Sequence, residues 1–392
     1  MSTLVAIGDC TERCTTWNPK ADDPDGEFEY IDLSSVDKDT KSIGATGLIS
    51  AASAPSRARQ LVRAGDILVS TVRPNLNGVA LVPVSLAGAT ASTGFTVLRP
   101  RSEVLYGAYL FHWVKHTAFV DEMMRLATGA SYPAVSDKIV RESTIPLPPL
   151  AEQRRIAAIL DKADALRAKR REAITKLDQL VQSVFVEMFG NPIRNEKGYP
   201  IIFLAEAVTA GKPITYGILK PGPDIADGVP YIRVVDIRDG DVLVSSVKRT
   251  STEIAYAYRR SAVQTGDILM SIRGHVGRIG VVPEALEGAN ITQDTARISV
   301  GSFFEPTYIA GLLNAPAIQQ HMRGFTRGAA VQGINLKDVR EIPVPVPSKS
   351  EQVRYALAIK KIAEIKRSSI RHLQKADEMF MGLQSKAFAG TL

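Results

Sequence analysis

The sequence predicts an α+β chain: two mixed, β-rich globular domains separated by an antiparallel coiled coil of two long helices, with a pseudo-twofold internal repeat. Three observations lead there. Residues 150–190 follow the proline cluster Ile145-Pro146-Leu147-Pro148-Pro149 and contain no Gly or Pro before Gly190, so propensity and a clear start signal favour one long helix. The chain matches itself at a separation of about 200 residues. Upstream of each helix, short β-branched runs alternate with Gly, Pro and Asn turns.

Taken in order, residues 1–148 form the first domain. Strands are expected at 66–72 and 79–84, and a helical pattern at 106–126. The first spacer helix occupies 149–190. Its seam runs through Ile156, Ile159, Ala163, Leu166, Ala173, Leu177, Leu180 and Val184 in steps of three and four, with only Arg170 polar. Residues 191–347 form the second domain, with strands at 229–237, 266–273 and 278–282 and a helical pattern at 306–323. A second spacer helix fills 348–392. Tyr355, Ile359, Ile362, Leu373, Ala376, Phe380, Leu383 and Ala387 make its seam, broken by Lys366 and Ser369. Each helix ends one repeat and can bury its seam on the other, and the antiparallel arrangement is the simpler one.

The repeat is carried by particular pairs. Tyr30-Ile31 matches Tyr231-Ile232, and Gly65-Asp66-Ile67-Leu68 matches Gly266-Asp267-Ile268-Leu269, both at an offset of 201. Downstream, Val82-Pro83 meets Val282-Pro283, Gly129-Ala130 meets Gly328-Ala329, and Arg141-Glu142 meets Arg340-Glu341. The proline cluster recurs as Ile342-Pro343-Val344-Pro345-Val346-Pro347. Glu152-Gln153 then meets Glu351-Gln352 at 199.

Composition narrows the function classes. The 392 residues carry a net charge of +7, which suits a polyanionic partner such as nucleic acid. No apolar run approaches the ~18 residues of a membrane span, and the N-terminus lacks the pattern of a signal peptide, so a cytoplasmic protein is expected. Cys10 and Cys14 are the only cysteines, which leaves no disulfide framework and no four-cysteine zinc site. His112 and His116 have the spacing of two zinc ligands on a helix, but Trp113 stands where a hydrolase would carry Glu, and packing or exposure is the better reading. Ala210-Gly211-Lys212-Pro213 lacks the upstream glycine and the hydroxyl residue of a phosphate loop. With no adenine-methyltransferase segment and no Ser/His/Asp set either, no catalytic centre is expected.

The combination of a TGA or RGA segment and a proline-rich IPLPPLAEQ or IPVPVPSKSEQ stretch opening a long helix, duplicated after a GDIL strand, resembles the specificity subunit of type I restriction-modification systems. The likeness covers nearly the whole chain; Ser348-Lys349-Ser350 departs from Leu150-Ala151 of the first copy. The resemblance implies that each globular domain reads one half of a bipartite site on double-stranded DNA. It also implies that the helices fix the gap and dock DNA adenine methyltransferase subunits, two of them, with restriction/translocase subunits joined through these. No cofactor would be bound by this chain, S-adenosylmethionine, ATP and Mg belonging to the partner subunits. Because the two domains differ in sequence, the target is expected to be asymmetric. The specificity partner of a type II fused nuclease-methyltransferase, or a coiled-coil scaffold that binds no DNA, are the alternatives.

Candidate DNA-binding residues fall in two groups. After the GDIL strand, Arg73, Asn75 and Asn77 cluster on one turn and Arg273, His275 and Arg278 on the other; Arg suits guanine O6 and N7, and Asn suits adenine N6 and N7. A solvent-facing hairpin turn is the bland alternative. Before the proline stretch, Tyr132 in 128–137 with Lys138 next to it, and Arg327, Gln332, Asn335 and Lys337 in 326–338, are placed to contact bases or phosphates, against a simple turn into the helix. Trp17, Lys20, Lys212, Tyr216 and Lys220 are lesser candidates. The basic run 167–171 spreads around a helix and reads first as a solvated face.

Overall fold

A computed structural model of the chain describes residues 3–129, 131–238, 240–328 and 332–392. Ala130 and Ala329, which belong to the repeat and to the pre-proline segments, lie outside the described residues. The chain divides into two compact units, Met1–Arg170 with His372–Leu392, and Arg171–Arg371. Each unit thus holds one globular portion and half of each long helix.

In the first unit, Ile67–Ser70 lies between Val79–Leu81 and Phe95–Pro100, antiparallel to both, and Thr11–Glu12 completes a four-stranded sheet. A second sheet has the order Thr15–Thr16, Ala58–Leu61, Thr90–Ser92, Glu27–Ile31, Gly47–Ser50. In it Thr90 and Ala91 pair in parallel with Tyr30 and Ile31. The second unit repeats the scheme. Ile268–Ser271 lies antiparallel between Ile279–Val281 and Thr295–Ile298. Asn290 and Ile291 pair in parallel with Tyr231 and Ile232. These are the residues that the sequence repeat aligns, so the duplication holds at the level of strand register.

The GDIL strands lie in the middle of their sheets, which explains their unbroken apolar character: Ile67, Leu68, Ile268 and Leu269 are buried completely. The expected strands at 66–72 and 229–237 end early, at Ser70 and Ile232. Each single helical pattern breaks into two helices, Gly107–Val114 with Thr117–Leu126, and Pro306–Asn314 with Pro316–Gly324. His116 takes an extended backbone and its side chain caps Ala118 N; Ala315 is likewise extended, before a proline at the first helical position.

The long helices are α1 (Leu150–Phe189) and α2 (Lys349–Ala389). The join between globular portion and helix start is built the same way twice. Gln153, fully buried, accepts a hydrogen bond from Tyr106 N through Oε1 and donates through Nε2 to Val104 O and Pro148 O. Gln352, equally buried, accepts from Glu305 N and donates to Pro347 O. The Tyr109 hydroxyl donates to Pro146 O at 2.8 Å, and the Tyr308 hydroxyl to Pro345 O at 2.7 Å. The buried amides and phenols thus donate to carbonyls of the proline stretch in both units. The proline-rich stretch and its following Gln are therefore an anchor.

Within each unit the helix halves run antiparallel. In the first, Ile156, Ala157, Leu160 and Ala163 of α1 share a core with Phe380 and Ala387 of α2, and Arg167 Nε meets Asp377 Oδ1 at 2.6 Å. In the second, Phe185 and Phe189 pack on Tyr355, and Lys366 reaches Asp178. The α2 seam follows the expected frame: Tyr355, Ile362, Phe380 and Ala387 are buried, and Lys366 and Ser369 lie half-buried on it. The α1 seam keeps one expected row, with Ile156, Ala163, Leu177 and Val184 buried or half-buried, and departs from its expected frame in the other. Leu166, Ala173 and Leu180 face solvent, and Leu160, Arg167, Ile174 and Val181 turn inward instead. A charged residue occupies the seam: the Arg167 guanidinium lies 4.2 Å from the Phe380 ring centroid and pairs with Asp164 and Asp377, while its stem fills the gap. Reading only apolar residues rotates the frame off this position.

Candidate nucleic-acid interface

The turn opening each GDIL strand is structural. Gly65 and Gly266 have left-handed backbones, φ 87° and 84°, and Asp66 and Asp267 accept from the backbone N–H groups of Arg63 and Gln264. Asp66 also forms a buried pair with Arg99 at 2.7 Å.

Beyond the strand the two groups of candidates meet. Arg73 N donates to Pro133 O at 2.7 Å, and Val72 bridges Ala134, which in turn bridges Thr128. In the second unit Gly274 N donates to Gln332 O at 2.9 Å, Arg273 bridges Gly333, and Gly333 bridges Arg327. Each pre-proline segment thus folds back as a small hairpin fastened to the loop after the GDIL strand. Gly129 is required at the first hairpin, since its backbone is left-handed and a Cβ would stand 2.8 Å from Tyr132 O.

In the first unit Arg73 and Tyr132 are exposed, with the guanidinium 4.4 Å from the ring centroid. Asn75 is exposed at the tip of the turn. Asn77 is engaged within the protein: Nδ2 donates to Val114 O at 3.1 Å, and Oδ1 accepts from Lys41 Nζ at 3.0 Å. The same ammonium donates to Asn77 O. Burial, with help from nearby Lys115, pushes the Lys41 pKa down to about 8. Lys41 is a site residue the sequence reading missed; it lies 36 residues from Asn77 in no motif, and only the fold brings it there. Lys138 is exposed and pairs with Glu142 at 3.6 Å.

In the second unit Arg273 and His275 are exposed, and left-handed Gly274 and Gly277 shape the loop around them. Arg278 is half-buried, its backbone N donating to Ser271 Oγ. Arg327 and Gln332 are exposed on the hairpin, where residues 329–331 lie outside the described residues. Asn335 caps the helix Leu336–Arg340 without a side-chain bond, and Lys337 pairs with Glu341 at 3.9 Å. Arg73, Asn77 and Tyr132 therefore come together in one unit and Arg273, Arg327 and Gln332 in the other. Lys138 and Lys337 lie on the short helices that follow.

The remaining candidates are mixed. Trp17 Nε1 donates to Thr90 Oγ1 and its ring meets Phe28 edge-on, so it packs. Lys212 is bonded to Gln264, and Lys20, Tyr216 and Lys220 are exposed. His112 is buried with Nε2 2.7 Å from Asp161 Oδ1, whereas His116 stacks on Trp113; among the described residues no group of side chains is arranged to hold a metal ion. No helix among them is long and apolar enough to cross a membrane.

The same β-rich globular portion is built twice, each copy joined to antiparallel halves of the two long helices. Comparison with known proteins shows what the chain resembles. Residues 5–176 match the type I restriction modification DNA specificity domain. The type I restriction enzyme EcoBI specificity subunit of Escherichia coli is 30% identical over 66% of this chain and 60% of its own length. A putative MjaX specificity subunit of Methanocaldococcus jannaschii is 24% identical over 81% of this chain and 77% of its own. A structure solved to explain complex assembly and conformational transition of the type I R-M system covers 100% of this chain and 98% of that one, with 26% identity and a TM-score of 0.64. The type I S subunit of M. genitalium, at 15% identity and TM-score 0.51, shares the fold. Over most of its length the chain is therefore similar to the specificity subunits of type I restriction-modification systems.

Proposed function

We propose that this chain reads double-stranded DNA for a type I restriction-modification complex, the first unit recognising one half of an asymmetric site and the second the other half. The observation that carries the reading is the doubled loop-and-hairpin: in each unit exposed arginines, Arg73 or Arg273 with Arg327, stand on backbone segments tied to each other by hydrogen bonds. Fixed guanidinium donors are what base edges in a major groove require. The net charge of +7 supports a phosphate-lined partner. The lengths of α1 and α2 set the gap between half-sites, and helix surfaces dock the modification subunits, two per chain, with restriction subunits joined through these. S-adenosylmethionine, ATP and Mg act in those partners. The relatives named above are all type I subunits, which favours this assembly over a type II one.

Methylome sequencing of a host with and without the gene tests the reading: a bipartite, asymmetric motif should vanish with the gene. Fluorescence anisotropy of the full chain on random duplexes should show affinity that falls steeply with salt. A scaffold would show neither. Removing one heptad from both α1 and α2 should change the tolerated gap and leave both half-site sequences intact.

A further inference from the structure

The loop after the first GDIL strand contains an unusual concentration of left-handed backbone. Of the residues other than glycine with positive φ, three meet here: Lys41 at 56°, Arg73 at 50° and Asn77 at 46°. L side chains rarely adopt this region, and Asn tolerates it better than Arg or Lys. The second unit shows what the topology asks for. Gly274, φ 72°, stands where Arg73 does at the repeat offset of 201, and Gly277, φ 87°, stands near the place of Asn77. Glycine is the low-strain solution to this turn, and the first unit keeps a long cationic side chain instead.

The surroundings hold that side chain in place. Arg73 N is bonded to Pro133 O, and Asn77 is tied by Lys41 and by Val114 O, so both ends of the turn are fixed. The Arg73 guanidinium lies 4.4 Å from the centroid of the Tyr132 ring, on an exposed surface. A ring this close to the guanidinium limits its rotamers while its N–H groups can still donate to a ligand. Among the described residues no side chain or carbonyl accepts a hydrogen bond from them. By sequence, Val331 stands where Tyr132 does, so the second unit has no such ring at that position.

Resting on the DNA-reading function above, we propose that Arg73 is the guanine-specifying residue of the first unit, with Tyr132 as its positioning residue. The fork of two N–H donors meets guanine O6 and N7, and Tyr132 keeps it from folding onto a phosphate. A phosphate contact would need no such fixed geometry, because a mobile arginine serves it equally well.

The test uses the full chain with its modification partners in a host whose methylome is sequenced, and duplex binding in vitro. Arg73→Gly is the informative variant, since it removes the side chain while adopting the residue the other unit uses. It should melt at or above the parent temperature. It should also accept any base pair at one G·C position of one half-site, with discrimination there falling about tenfold to a hundredfold. Tyr132→Ala should weaken the same discrimination about threefold to tenfold, and Tyr132→Phe should retain it. Arg273→Gly serves as the comparison and must leave that position intact. Uniform weakening on all sequences with a salt slope reduced by about one makes Arg73 a phosphate contact and overturns the proposal. So does an unchanged motif, relaxation at an A·T position, or a lowered melting temperature for Arg73→Gly. If the parent chain directs no motif and shows no salt-dependent affinity, the DNA-reading function itself fails; a parent motif with an unaffected Arg73→Gly variant sinks only the role of Arg73.

Discussion

The two units agree closely in one region and differ in another. At the start of each long helix a buried glutamine and a buried tyrosine satisfy the same backbone groups around the proline stretch, Gln153 with Tyr109 in one unit and Gln352 with Tyr308 in the other. At the loop after the GDIL strand the backbone path and its hairpin partner recur, yet the side chains do not: Arg73 and Tyr132 on one side, Arg273, Gly274 and Gln332 on the other. What repeats in both sequence and contacts holds the helix to its domain. What repeats in path alone is free to carry different side chains, as two half-sites of an asymmetric target would need under the proposed function.

The sharpest way to break this division is at the anchor. Gln153→Leu leaves Tyr106 N, Val104 O and Pro148 O without their buried partner, and should destabilise the chain by about 2 to 4 kcal/mol. Gln352→Leu strands Glu305 N and Pro347 O and should cost slightly less. Chemical denaturation of both variants measures this. A neutral result for either would show that the proline stretch, and not the glutamine, fixes the helix start.

A smaller effect probes how the common scaffold absorbs different core residues. His112 and Ile156 of the first unit correspond to Gly311 and Tyr355 of the second, a large residue exchanging sides of the same helix contact. Tyr355 is 1% exposed, and a Cβ on Gly311 would stand 2.3 Å from its Oη. Gly311→Ala should therefore destabilise by about 1 to 2 kcal/mol despite the better helix propensity of alanine, because the enclosed ring has nowhere to retreat. Adding Tyr355→Ile, which imports the residue of the first unit, should recover part of the loss in melting temperature. No recovery would mean the two packings are not interchangeable solutions.

The sequence disclosed the repeat, the long helices and the α2 seam because these rest on local propensity and on register that self-comparison exposes. It misplaced one row of the α1 seam, since Arg167 serves as a core residue through its stem and Phe380, a contact 213 residues away that periodicity of apolar residues cannot register. It named Arg73 and Tyr132 separately. Their stacking depends on a bridge between residues 72 and 134, and the clamp of Lys41 on Asn77 depends on the fold of an intervening sheet. Asn77 looked like a reader because its type fits adenine; its amide has both of its partners inside the protein.

The smallest effect separates the two units by pH. In the first, burial is the main cause that holds the His112 pKa below its ordinary 6.5, reinforced by Lys115 and opposed by Asp161 and Asp164. His116 is depressed as well, again by burial. A depressed base takes up a proton more readily when unfolded, so its contribution to stability is complete above pH 6.5 and is lost as pH falls through the folded value. The second unit has Gly311 in place of His112 and Ala315 in place of His116, with nothing to titrate there. Hydrogen exchange at pH 7 and pH 5 should therefore show residues 107–126 losing protection that 306–324 keep. His112→Gln, which can still donate to Asp161, should remove part of that loss and leave the share due to His116. Equal loss in both segments would place the acid sensitivity in features common to the two units, and the histidine pair would have no part in it.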